Sequence, residues 1–259
     1  MGGEDLILMD FSLLFVFLLP PKLSPMFKLI LLAVCSLCAA GSLVAQDGFV
    51  SIFDGKTLEG WKPSEDNPAA FSVEANGELK VTGDRAHLFY VGKDGNVGFR
   101  NFELKLKAKT TFGSNSGVYF ATQYQKEGWP EKGYEAQVNS TQVDPKRTGS
   151  LYGVVNLWVD PTQKQAPFVE VRKGAVNLRI KEAVSKDEVW FDYHIIVKGS
   201  KIILKVNGET TVEFTEPKDW EGPSANTKGR KLGRGTIAFQ AHDPKSTVYY
   251  KEIQLKITD

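Results

Sequence analysis

Residues 102–109 read Phe102-Glu103-Leu104-Lys105-Leu106-Lys107-Ala108-Lys109, and apolar and charged residues exchange places at every step. A period of two puts Phe102, Leu104, Leu106 and Ala108 on one face and Glu103 and the three lysines on the other. That is a half-buried strand with one face in water. Working outward, the same period recurs at 71–75, 78–82, 87–91, 117–122, 134–139, 176–180, 191–198, 201–206, 236–241 and 247–257. The turn chemistry between these runs agrees. Asn76-Gly77 and Asn207-Gly208 suit type I′ hairpins, and Gly199-Ser200 suits type II′. No long stretch keeps a helical period. About a dozen strands without alternating helices predict an all-β fold, a single two-sheet antiparallel β-sandwich of jelly-roll type.

The chain has 259 residues, 42% of them hydrophobic, with 32 Lys and Arg against 31 Asp and Glu. A formal charge of +1 gives no electrostatic case for nucleic acid or an anionic membrane as partner. All three Met and both Cys fall before residue 39. From Met26 the chain reads Met-Phe-Lys, then an uncharged stretch from Leu29 to Ala45, then Gln46-Asp47. A basic start, an apolar stretch and small residues at its end describe a secretory signal peptide. Residues 1–45 are therefore read as an N-terminal extension and signal peptide, with Met26 as the true start. Residues 47–259 are read as one exported domain, periplasmic, cell-surface or secreted. Cys35 follows Leu32-Ala33-Val34, a poor lipoprotein signal. Beyond Ala45 there is no Cys, which excludes a disulfide, a thiol nucleophile and a cysteine metal site. No membrane span is expected in the mature chain.

Strand parity locates the candidate chemistry. In 134–139, Ala136 and Val138 share one face, leaving Glu135, Gln137 and Asn139 on the other. In 236–242, Ile237, Phe239 and Ala241 share a face, with Gln240 and His242 opposite. Amides, a carboxylate and an imidazole in mid-strand suit a polar groove that binds hydroxyls. The plainer reading is a solvated outer face. Trp129, Trp158, Tyr119 and Tyr152 offer stacking surfaces for sugar rings. The irregular stretches 215–234 and 125–132 are long enough to wall a cleft.

At this point the residues resemble a known family. Phe53-Asp54-Gly55-Lys56-Thr57-Leu58-Glu59-Gly60-Trp61 is similar to the opening of the family first called DUF1080, described as 3-keto-disaccharide hydrolases or 3-keto-glucoside lyases and hydratases. Asn115–Phe120, Gly133–Val138, Thr148–Gly153 and Gly235–Asp243 are similar to further motifs of that family, in the same order. The resemblance implies a concanavalin A-like jelly roll and an enzyme acting on an oxidised (3-keto) di- or oligosaccharide or glycoside. A ketone at C3 acidifies the hydrogen at C2. A base removes it, the C1 substituent leaves by β-elimination, and water can add to the resulting glucal. Such a site needs a base near C2, donors for the C3 oxyanion and an acid for the leaving oxygen.

Glu135 and His242 are the candidate catalytic residues, in either order. Asn115, Gln137, Asn139 and Gln240 are assigned to hydroxyls or the carbonyl. Tyr152 is a proton donor, Arg147 a charge for the enolate, and Tyr119 and Trp129 are stacking groups. His87 is read as structural and His194 as packing or surface. No cofactor is expected. A divalent metal on His242, Glu135 and Asp243 is left open, without metal-ligand spacing to support it. Two other functions stay in view. One is an ordinary retaining glucanase, which needs two carboxylates about 5 Å apart. The other is a lectin or binding module that uses the groove without chemistry.

Overall fold

The computed structural model describes residues 46–159, 169–172, 175–224 and 227–259. The expected leader, with Met26 and Cys35, lies outside them. Among the described residues the regular structure is strand, apart from two 3-10 turns, Gln46–Gly48 and Pro68–Ala70.

In chain order the strands are β1 (Val50–Ser51), β2 (Trp61–Pro63), β3 (Phe71–Val73), β4 (Leu79–Thr82), β5 (Ala86–Tyr90) and β6 (Phe102–Thr110). There follow β7 (Asn115–Thr122), β8 (Tyr134–Asn139), β9 (Val155–Val159), β10 (Val169–Arg172), β11 (Ala175–Ile180) and β12 (Phe191–Lys198). The last four are β13 (Lys201–Val206), β14 (Glu209–Thr215), β15 (Thr236–Ala241) and β16 (Thr247–Ile257). One sheet has the order β14-β13-β12-β6-β16-β4-β3, with β1 also on β16. The second has the order β2-β5-β15-β7-β8. A small third sheet, β10-β11-β9, contains a parallel pair, β9 with β11. This departs from a purely antiparallel sandwich because β10 intervenes in the chain and turns back on β11 as a hairpin.

The apolar rows of the two large sheets pack face to face. On β6 burial alternates residue by residue, so Leu104 and Ala108 are fully buried while Lys105 and Lys107 are only partly covered. From β15 and β16, Phe239 and Tyr250 meet with ring centroids 4.4 Å apart. The few polar groups between the sheets are tied. The Tyr250 hydroxyl lies 2.7 Å from Ser116 Oγ, which donates to Gln240 O at 2.6 Å. The Tyr193 hydroxyl donates to Gln137 O at 3.2 Å. These struts fix β7, β8 and β15, the strands that carry the site, to the opposite sheet.

Asn207-Gly208 has positive φ at both residues (51° and 84°), as a type I′ turn requires. Asn76-Gly77 behaves otherwise. Only Gly77 has positive φ, and Gly77 N donates to Glu74 O while Glu74 N donates to Glu78 O. The connection is therefore a longer loop with its glycine in the left-handed position.

Candidate active site

On β7, β8 and β15 both faces are buried, not one. One face meets the core. Over the other fold the segments 123–133, 140–154 and 227–235, and between them lies a cavity of about 240 Å³. Tyr119 and Glu135 are cross-strand partners, as are Gly117 and Gln137. The Glu135 carboxylate lies over Gly117, where an added Cβ would come within 2.5 Å of Oε1. Glycine there is what lets the acid lie flat against the sheet.

Glu135 is 4% exposed and its two oxygens are divided between two donors. Gln240 Nε2 donates to Oε1 at 3.1 Å, and Arg230 Nη2 to Oε2 at 3.4 Å. The Gln137 amide, in the orientation that also donates to Ser116 O, adds a contact to Oε1 at 3.3 Å. Burial, the largest single effect, depresses the Arg230 guanidinium, yet the Glu135 charge, Tyr119 and the hydrogen bonds to both together outweigh it and raise the pKa above the usual arginine value. The same arrangement acts on Tyr119. Burial first, and the Glu135 charge second, push its hydroxyl well above the ordinary tyrosine range. Arg230 lies 5.8 Å from the Tyr119 ring centroid and 5.6 Å from that of Tyr152.

His242 closes another side of the cavity. Its Nδ1 lies 2.8 Å from Asp243 Oδ2, which also accepts from Ser246 Oγ at 2.8 Å. Ser246 Oγ in turn accepts from Asn115 N at 2.9 Å, which anchors the pair to the start of β7. Burial raises the Asp243 carboxyl, but the bonds from Ser246 and His242 overcome it and hold the group below its usual value. An anionic Asp243 accepts a hydrogen bond from Nδ1–H and so favours the tautomer that leaves Nε2 with its lone pair. Tyr152 donates to Asp144 Oδ2 at 2.9 Å and receives Lys146 Nζ at 3.2 Å. Burial first, then the Asp144 charge, raise its hydroxyl.

The cavity brings together Asn115, Tyr119, Trp129, Glu135, Gln137, Tyr152, Gln240 and His242. Asn139 and Arg147 are not among its lining residues. Asn139 Nδ2 donates to Asp144 O and Lys146 O. Arg147 Nη1 donates to Asn139 Oδ1, Gln142 O and Asp144 O. Both side chains shape the loop that presents Tyr152. The cation at the site is Arg230, from the segment 216–235, which nothing local distinguishes from Lys228, Lys231 or Arg234. Among the described residues no group of three or more His, Cys, Asp or Glu is placed to hold a metal ion.

Residues 48–256 match the 3-keto-alpha-glucoside-1,2-lyase-like domain. The chain belongs to that family. A protein of Bacteroides thetaiotaomicron named 3-keto-disaccharide hydrolase is 28% identical over 254 residues, covering 83% of this chain and 80% of that protein. Two crystal structures of Parabacteroides distasonis proteins, each described as a candidate glycosyl hydrolase, share the fold. The first has a TM-score of 0.59 at 23% identity and covers 82% of this chain and 95% of that one. For the second the TM-score is 0.52 at 20% identity, with 76% and 99% covered. Within this 3-keto-glucoside lyase-like domain, the motifs 115–120, 133–138 and 235–243 supply most of the cavity wall.

Proposed function

We propose that this chain is an exported enzyme that cleaves the glycosidic bond of 3-keto-glycosides by elimination across C1 and C2, with hydration giving net hydrolysis. The observation that carries this reading is the division of labour in the cavity. Among the described residues His242 has one nitrogen held by a carboxylate and no hydrogen bond at the other, while Glu135 has both oxygens engaged by Gln240 and Arg230. His242 Nε2 is therefore the base. It takes the proton from C2, and the C–H electrons form an enolate whose charge lies on the C3 oxygen. Arg230 is the charge for that oxygen, since its Nη1 is buried without a partner among the described residues. Glu135 holds the guanidinium and Gln240 in place.

The enolate then restores the C3 ketone, the C1–C2 double bond forms, and the C1–O bond breaks. The leaving oxygen takes a proton from His242 or from Tyr152. Water adds at C1 and a proton returns to C2. The site thus stabilises an enolate instead of an oxocarbenium ion. On its strand Glu135 is followed by Gln137 and Asn139 at the same-face positions. Amides there give no second carboxylate to an ordinary retaining glucanase.

Incubation of residues 46–259 in heavy water with 3-keto-lactose and 3-keto-trehalose, beside the parent sugars, tests the reading. Product from the keto sugars alone, with deuterium at C2, is expected. Cleavage without C2 exchange would replace elimination by direct hydrolysis, and saturable binding without turnover would make the chain a lectin. His242→Ala is expected to lower kcat by about 10²–10⁴.

A further inference from the structure

His87 on β5 is the direct partner of Gln240 on β15, and it stands on the face that carries the site. It is 0% exposed, and neither Nδ1 nor Nε2 has a hydrogen-bond partner among the described residues. Its neighbours are rings: Tyr119 edge-on at 5.2 Å, Trp129 at 5.6 Å and Phe89 at 6.1 Å. A neutral imidazole always carries one donor and one acceptor. Burying both unpaired is unfavourable beside an apolar side chain of the same size. A position that needed only packing would be better served by leucine.

His87 does not line the cavity, but two side chains that do, Tyr119 and Trp129, rest against it. The Trp129 side chain is 43% exposed and rests on ring contacts with His87 and His242, the latter at 5.5 Å, under the Arg85 guanidinium at 5.8 Å. Its backbone is fastened. Gly128 N donates to Asp66 Oδ2 at 3.0 Å, Asp66 is paired with Arg85 at 2.9 Å, and Gln125 Nε2 donates to Trp129 O at 3.0 Å. Of the two side chains, Tyr119 is buried and Trp129 is exposed, so a rotamer change of Trp129 is the smallest movement that would bring His87 to the cavity.

We propose that Trp129 is a side-chain gate over a subsite floored by His87, and that an entering sugar ring displaces the indole and places hydroxyls on the imidazole. A hydroxyl can donate or accept, so one sugar hydroxyl at each ring nitrogen satisfies the two roles that His87 leaves unused, whichever tautomer is present. Burial, with smaller effects from Arg85 and His242 and an opposing one from Asp66, pushes His87 down to about 3. The subsite therefore offers hydrogen bonds and no charge, which suits a neutral polyhydroxylated ring. This rests on the proposed function only for the identity of the sugar.

The test has one arm without substrate and one with it. In the first, the full chain is treated with diethyl pyrocarbonate at neutral pH and each histidine followed by peptide mass mapping. His87 is expected to react faster in Trp129→Ala than in wild type; His87 untouched in the folded Trp129→Ala protein, while His194 and His242 react, would overturn the gate. In the second, His87→Leu and His87→Gln are compared with wild type on 3-keto-lactose. The leucine variant is expected to melt no lower than wild type yet to raise KM at least about 10-fold, with the glutamine variant recovering part of the loss. An unchanged KM in a folded His87→Leu protein would overturn the subsite. If wild type fails to turn over keto sugars, the proposed function fails while the labelling arm still decides the gate.

Discussion

The outer faces of the two large sheets begin from the same strand pattern and end in different chemistry. On β6 the polar row is Glu103, Lys105, Lys107 and Lys109, half in water, with Glu103 2.9 Å from His194 and Lys107 2.6 Å from Asp192. On β8 the polar row is Glu135, Gln137 and Asn139, none more than 4% exposed. The period of two assigns a face in both cases; it does not assign burial. Burial comes from the loops, which cover one sheet and leave the other bare. The segments 123–133 and 227–235 are stitched together by Gly133 N donating to Gly229 O at 2.9 Å. Under that cover water no longer screens, so the Glu135–Arg230 pair interacts in a medium where charge matters more.

The sharpest way to break the contrast is to remove one buried charge. Glu135→Gln leaves Arg230, 15% exposed at its side chain, without its counter-charge. The expected loss is about 3–5 kcal/mol in denaturant unfolding, together with loss of turnover. A variant as stable as wild type would mean that this face is as wet as the other. Glu135→Gln and Arg230→Met together should recover much of the stability and none of the activity.

How much of this was legible follows from where each residue's placement is decided. The long strands β6, β8, β12, β13, β15 and β16 carry their own period, and their limits and faces are readable to within a residue. β14 escapes notice because Val212 is its only buried residue, so as an edge strand it leaves little apolar trace. β1 and β2 are too short for any period. Glu135, Gln137, Gln240 and His242 could be found because parity puts them on one face. Arg230 could not, because its position depends on Gly229 packing against the backbone of Glu131, a tertiary contact between two loops. Arg147 does not line the cavity, because its bonds to Asn139, Gln142 and Asp144 hold its side chain within its own loop.

Two histidines sharpen the comparison next. His194 lies on the open face, lowered by burial but supported by the Glu103 carboxylate. His87 lies on the covered face with no carboxylate bonded to it, and its pKa falls from 6.5 to about 3. Tyr119 and Trp129 face it as rings, Arg85 and His242 disfavour its protonation, and Asp66 partly favours it. The unfolded chain binds a proton at this residue below pH 6.5, whereas the folded chain resists until about 3. Stability is therefore lost as pH falls through that window, at about 1.4 kcal/mol for each unit of the difference. His87→Leu should remove this loss and move the acid-unfolding midpoint to lower pH. An unchanged midpoint would place His87 in water.

The smallest effect belongs to the open face. Lys107 and Asp192 are close, but their side chains are 34% and 64% exposed, and water competes for both. Their bond raises the Lys107 pKa, with the hydrogen bond to Asp192 as the largest cause. Its contribution is thus present at neutral pH and is lost only as pH rises through the lysine range. Asp192→Asn is expected to cost under about 1 kcal/mol, and most of that should vanish in about 1 M salt, where the screening length is about 3 Å. A larger or salt-insensitive loss would mean that something shields this face as the loops shield the other. The asymmetry between the sheets would then lie in what covers each face, not in whether it is covered.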